Sequence, residues 1–229
     1  MKSWLMTVCF VALALSADLA QRKVPPPPKP ADEGPTLEVT MKFIQDKMNE
    51  HGKVGYVSTP SGGNGMLIRE YVLISGVVAD ASTCVLRASE KTISQYDAPE
   101  GTKFFEGGKE YNGHREMVDA STTPLEAVDS ITVESAQDAA NRRIAEAAHA
   151  DIALSYAPAV YELSLKAAKK GAFSFHRAVS LGAQPPENSD FTDKENKFIF
   201  RDEETANRVA KAMVHAVELC GGGSKPEPF

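Results

Sequence analysis

An α+β fold, an antiparallel sheet or small barrel capped by a C-terminal helix, is predicted by three observations. The last third alternates apolar and polar residues at strand spacing. A long amphipathic helix then closes the chain. A second amphipathic helix opens the folded region at residues 37–50. With 229 residues and 42% hydrophobic content, the chain has enough apolar material for one core with tails.

The first segment, "MKSWLMTVCFVALALSADLAQ", has the layout of a secretory signal peptide. One Lys is followed by an uncharged apolar run and then by small residues. The run is shorter than the 18 or more residues of a spanning helix. Cleavage is expected after Ser16 or Ala17, giving residues 1–17 as the signal. Cys9 lies inside the apolar run behind Val8, which does not suit a lipoprotein cysteine. Residues 18–35 contain "VPPPPKPADEGP", a proline-rich stretch expected to be extended and read as a linker.

A single α+β domain is expected over 36–221. In its first helix Thr36 is the cap and Leu37, Met41, Ile44 and Met48 form one apolar stripe, with Gly52 as the stop. Residues 53–95 read as strands. "GYVST" leads to a turn at "PSGGNG", and "MLIREYVLISGVVA" breaks at Gly76. In "TCVLRASEK" the phase puts Cys84, Leu86 and Ala88 on the inward face. Residues 96–127 are rich in Gly, Glu and Thr and read as a long loop with room for one strand. A strand over 127–133 and a charged, Ala-rich surface helix over 135–149 follow.

"AVYELSLKAA" sets Tyr161, Leu163 and Leu165 against Glu162, Ser164 and Lys166, and "GAFSFHRAVS" sets Phe173 and Phe175 against Ser174 and His176. "KKG" between them reads as a hairpin turn. A polar loop then leads to "NKFIF", with Phe198 and Phe200 on one face. Asp202 caps the closing helix, and Glu203 and Glu204 suit its first turn. Ala206, Val209, Met213, Ala216, Val217 and Cys220 share its buried stripe, Gly221 ends it, and residues 222–229 read as a tail.

From about 125 to 221, "VDSITVES", "VYELSLKAAKKGAFSFHR" and "FIFRDEETANRVAKAMVHAVELCGG" resemble the final strands and capping helix of a pleckstrin-homology-like barrel. The last of these is also similar to the ending of a group of uncharacterised exported bacterial proteins. The resemblance implies a PH-like barrel. Phosphoinositide-binding members carry a basic cluster on the first hairpin, where "GYVSTPSGGNGMLIRE" offers only Arg69.

Net charge is -6, with Lys and Arg scattered, which disfavours a nucleic-acid partner. Motifs for chemistry are missing or broken. In "LISGV" around Ser75, Leu73 replaces the first Gly of a nucleophile elbow. "KFFEGGKE" fails twice as a phosphate loop. The five histidines are widely spaced and no C-x-x-C pair exists, so neither metal nor cofactor is expected. The densest polar stretch is "KEYNGHRE", which places Glu110, His114, Arg115 and Glu116 together as the polar-site candidates.

The leading expectation is an exported (periplasmic or extracellular), non-catalytic binding or scaffold module. Its partner would be an envelope or extracellular protein or peptide, and no membrane span is expected after signal cleavage. One alternative is an envelope hydrolase using the loop around His114 with Ser61 or Glu110. The other is a lipid or small-molecule carrier with a cavity lined by Phe173, Phe175, Phe198 and Tyr161. Cleavage would leave two cysteines in an oxidising compartment. Both point inward, so a Cys84–Cys220 disulfide is expected.

Overall fold

The computed structural model divides the chain into two units, residues 1–34 and 35–229. It describes residues 34–60, 66–146 and 154–223. The signal and nearly all of the linker therefore lie outside the described residues, as do Ser61, the turn around it and the end of the expected 135–149 helix.

The described part is α+β. Helix α1 (Leu37–His51) starts where Thr36 Oγ1 accepts from Val39 N, and it is followed by β1 (Lys53–Pro60), β2 (Leu67–Asp80) and β3 (Val85–Asp97). Next come β4 (Phe104–Glu106), β5 (Lys109–Tyr111) and β6 (His114–Pro124). Strand β7 (Val128–Ser135), helix α2 (Ala136–Glu146) and β8 (Leu154–Ala157) lead to β9 (Tyr161–Ala167) and β10 (Phe173–Leu181). Strands β11 (Glu187–Asp193) and β12 (Glu195–Phe200) precede the closing helix α3 (Glu203–Leu219).

These strands form separate antiparallel sheets and not one closed barrel. The large sheet runs β11-β10-β6-β3-β2-β1-β8, the small one β12-β9-β7, and β4-β5 is a hairpin. Three sequence expectations are corrected. The 96–127 region is mostly strand, and β6 is 11 residues long. The polar loop before "NKFIF" contains β11, the edge strand of the large sheet. "KKG" does not make a hairpin, because β9 pairs with β7 and β12 while β10 pairs with β6 and β11. That turn carries the chain between sheets.

Strand β2 does not end at Gly76. The register shifts between Ser75 and Val78, and Gly76 has φ 56°, a conformation glycine tolerates at a bulge. Asn49 of α1 serves the bulge from both sides. Its Nδ2 donates to Val77 O at 3.2 Å, and Val77 N donates to its Oδ1 at 3.1 Å. The first helix is thereby hydrogen-bonded to the sheet where the ladder lapses.

The main core joins Met41, Ile44 and Met48 of α1 to Ala206, Val209, Met213, Ala216 and Val217 of α3. Ile74, Leu86, Leu163, Leu165, Phe173, Phe198 and Phe200 fill the space against the sheets. Asp202 caps α3 by accepting from Thr205 N at 2.7 Å. Helix α2 is buried along one side at Ala136, Ala139 and Ala140, so it is amphipathic and not simply a surface helix.

Cys84 and Cys220 form the expected disulfide, although Cys84 reaches it from a turn with φ 54° and not from a strand. Cys220 is the C-cap of α3, and Cys84 sits in the turn before β3. Gly222 and Gly223, read with the tail, bond back to the domain through Val217 O at 2.9 Å and Val128 O at 2.8 Å. Among the described residues no helix is long and apolar enough to cross a membrane.

Candidate functional site

The four polar candidates do not converge. Glu110 is in β5 and bonds Lys103, and its carbonyl accepts from Gln184 Nε2 at 3.3 Å. Asn112 and Gly113 make the turn into β6. Gly113 has φ 80°, and a Cβ there would lie 2.8 Å from Tyr96 O. His114 and Glu116 then share one face of β6, where His114 Nε2 lies 3.4 Å from Glu116 and Lys91 Nζ lies 2.6 Å from Glu116. Arg115 points to the opposite face and pairs with Glu106 at 3.0 Å. One continuous stretch of sequence is thus divided among three separate ion pairs.

The remaining histidines are equally dispersed. His176 Nδ1 lies 2.8 Å from Asp190 on the exposed outer face of the large sheet. His215 Nε2 lies 2.9 Å from Pro35 O beside α1. Ser75 is a ladder residue of β2 opposite Ser89. Among the described residues no group of three or more His, Cys, Asp or Glu is placed to hold a metal ion.

The unusual chemistry lies on the inner face of the large sheet. Glu90 of β3 stands directly across from Asp119 of β6, which stands across from Arg177 of β10. Arg177 grips Asp119 with two bonds of 2.7 and 2.6 Å, and its guanidinium sits 4.7 Å from the Phe191 ring centroid. Phe191 stacks on Phe175 at 4.9 Å. Two rows along the same face, Tyr56, Glu70, Ser94 and Arg115 occupy neighbouring strands, and Ser94 Oγ donates to Glu70 at 3.3 Å.

From the small sheet Glu162 adds another interior carboxylate. It is 4% exposed, pairs with Arg143 of α2 and accepts from Ser164 Oγ at 2.9 Å. Strand alternation places Glu162 opposite the apolar Leu163 and Leu165, on what reads as a solvent face. That face is covered, because β9 is the central strand of its sheet and α2 packs over it.

Four carboxylates inside one domain cost free energy unless each is paired or protonated. Glu162 and Asp119 are paired with arginines. Burial raises the Glu70 carboxyl, while bonds from Tyr56 and Ser94 pull it back. Burial also raises the Tyr56 phenol, with the negative charge of Glu70 adding to the effect. Glu90 is the extreme case. Burial, then the charges of Asp119 and Glu162, raise its carboxyl to about 8. Its Oε2 is enclosed and has no hydrogen-bond partner among the described residues.

The signal for Glu90 was present in the sequence. It continues the inward phase of Leu86 and Ala88, but it lies between Ser89 and Lys91 in a charged run that reads as surface. The helices pack chiefly on β2, β7, β8 and β9, so the β6–β10–β11 corner keeps Met117, Phe175, Val179 and Phe191 partly exposed. The corner is a polar and aromatic floor beside a protonated acid, set in an α+β protein of two main antiparallel sheets. No protein-family model matches this chain, and no curated protein or solved structure matches it.

Proposed function

We propose that the chain is an exported, non-catalytic binding module whose ligand meets the inner face around Glu90. One observation carries the reading: a buried carboxyl oxygen without a donor among the described residues, in a cluster whose other acids are bonded. An unmet acceptor inside a fold costs free energy, and a ligand that supplies the donor recovers it. Export is supported by the signal-like N-terminus and agrees with the Cys84–Cys220 bridge. The partner is an envelope or extracellular protein or peptide. Likeness to the pleckstrin-homology-like group remains a reading of the C-terminal strands and helix, with the strands divided between open sheets.

The alternatives have less behind them. A hydrolase built on His114 with Glu110 would need those groups in one place, and each is bonded elsewhere. A carrier cavity would need Phe173 and Phe198 to line empty space, whereas both are buried in the main core.

Photo-cross-linking tests the binding reading. A photoreactive residue at position 117 samples the inner face, and one at position 71 samples the outer face. Cross-linked partners in a native envelope extract should be identified by mass spectrometry at 117 and not at 71. Equal or absent cross-linking at the two positions overturns the reading.

A further inference from the structure

Among the described residues, the inner face has no uncommitted positive charge to offset Glu90 once it ionises. The groups that act on it are Asp119 of β6, Arg177 of β10, Glu162 of β9 and Thr92 of its own strand, and Glu90 in turn acts on Tyr56 of β1. Arg177 is committed to Asp119, and Arg143 of α2 is committed to Glu162. Arg115 reaches Glu106. Each arginine therefore answers another acid, and Glu90 has none of its own.

We infer that Glu90 anchors the cationic end of the ligand, a guanidinium or primary ammonium group that donates an N–H to Oε2 and supplies the missing positive charge. The inference rests on the binding-module reading and names the chemistry it would recognise. A bare metal ion fits poorly, because no three His, Cys, Asp or Glu side chains among the described residues are placed to ligate one. An organic cation brings its own directional donors and needs only one unbonded carboxylate oxygen. Glu90 as a residue is partly exposed although Oε2 is enclosed. The terminal torsion of a glutamate is soft, so the carboxyl can turn toward an arriving donor without moving the strand. The Phe191 ring, which carries Arg177, shows that this corner accommodates a cation over an aromatic face.

Binding exchanges one proton. The Glu90 carboxyl is protonated at neutral pH, and its O–H bond breaks as the cation arrives. The proton leaves to buffer, and the carboxylate is left paired with the ligand. Affinity then rises about tenfold per pH unit below the titration of Glu90 and levels off above it.

Calorimetry on the purified full chain tests this with two probes, L-arginine amide and acetyl-Gly-Arg-Gly-amide. Measured in buffers of different ionisation heat at pH 7, binding should release close to one proton per ligand. It should tighten about tenfold from pH 6 to pH 7. Glu90→Gln, checked for folding by circular dichroism, should weaken binding at least tenfold and remove the pH dependence. Binding of both probes marks a small-molecule cation as sufficient. Binding of the peptide alone marks an arginine on a protein partner. If neither probe binds, or if both bind Glu90→Gln unchanged and without proton release, the cation site is wrong. The cross-linking result at position 117 still judges the binding module separately.

Discussion

At the α3 end, the side chains entering the core are apolar, and the helix cap is covalently tied to the turn before β3. At the Glu90 corner, four carboxylates enter the interior, and one of them has an oxygen unbonded among the described residues. The two regions lie in one domain and differ in what stabilises them. The closing helix is held by burial of Val209, Met213 and Val217 and by the Cys84–Cys220 bridge. The polar corner is held by the backbone ladders of β3, β6 and β10, which keep the row of Glu90, Asp119 and Arg177 in register despite its cost. Structure is economical at the first region. At the second it tolerates an expense that a fold alone does not require, which is where function is sought.

The largest expected effect is on the closed end. The bridge links residues 136 apart, and loop-closure entropy allows up to about 4–5 kcal/mol of stabilisation for so long a loop. Cys84→Ala should lower the denaturant midpoint accordingly, and thiol titration of unfolded wild-type protein should find no free thiol from the pair. Two free thiols, or an unchanged midpoint, would show that apolar packing alone holds α3.

The second effect belongs to the polar corner and has a defined sign. Folded Glu90 titrates near 8, above its ordinary value of 4.5, so the folded protein retains a proton that the unfolded chain releases. The stability this group contributes is full below about 4.5 and is lost as pH rises through about 8. Burial of Glu70 adds a slope of the same sign. Glu90→Gln keeps the shape and removes the charge. At pH 9 it should be more stable than wild type by on the order of 2–4 kcal/mol, with little difference at pH 5. Melting temperatures of both proteins across that range decide it. Parallel curves would mean that the Glu90 carboxyl is well solvated, and the contrast between the two regions would collapse.

The same contrast explains what the sequence reveals. The 37–50 helix, the Asp202 cap and the apolar stripe of α3 that leads to Cys220 are legible because periodicity and capping are local and the buried residues are apolar. Strand β6 reads as a loop in sequence because its inner face carries Arg115, Asp119, Ser121 and Thr123, so the alternation of apolar and polar residues is absent. The sequence of β11, "ENSDFTD", hides an edge strand for the same reason, since charge at an edge discourages unwanted pairing. Strand pairing was also out of reach, because "KKG" announces a turn without saying which sheet comes next. Glu162 reads as solvent-facing until a second layer covers it, and only the tertiary fold provides that layer.

A smaller effect tests how far local rules suffice at the closed end. Asp202→Ala removes the acceptor for Thr205 N at the start of α3 and should cost about 1 kcal/mol. Chemical denaturation measures it. A loss of several kcal/mol would mean that the cap also orients α3 against the core, tying the helix start to the packing it introduces.

The smallest effect concerns the stretch that looked most like a site. Glu116 meets Lys91 at 2.6 Å and His114 at 3.4 Å, with all three side chains more than a third exposed or nearly so. These partners hold the Glu116 carboxyl below its usual range, Lys91 most of all. Exposed pairs of this kind contribute between about 0 and 1 kcal/mol because water already solvates both charges. Glu116→Gln should therefore shift stability by under about 0.5 kcal/mol and leave cation binding at Glu90 unchanged, since the two acids stand on opposite faces of the same sheet. Denaturation and calorimetry on this one variant check both statements. A loss of cation binding on Glu116→Gln would move the functional face to the other side of the sheet, and with it the distinction between a solvated ion pair and a buried acid with one unbonded oxygen.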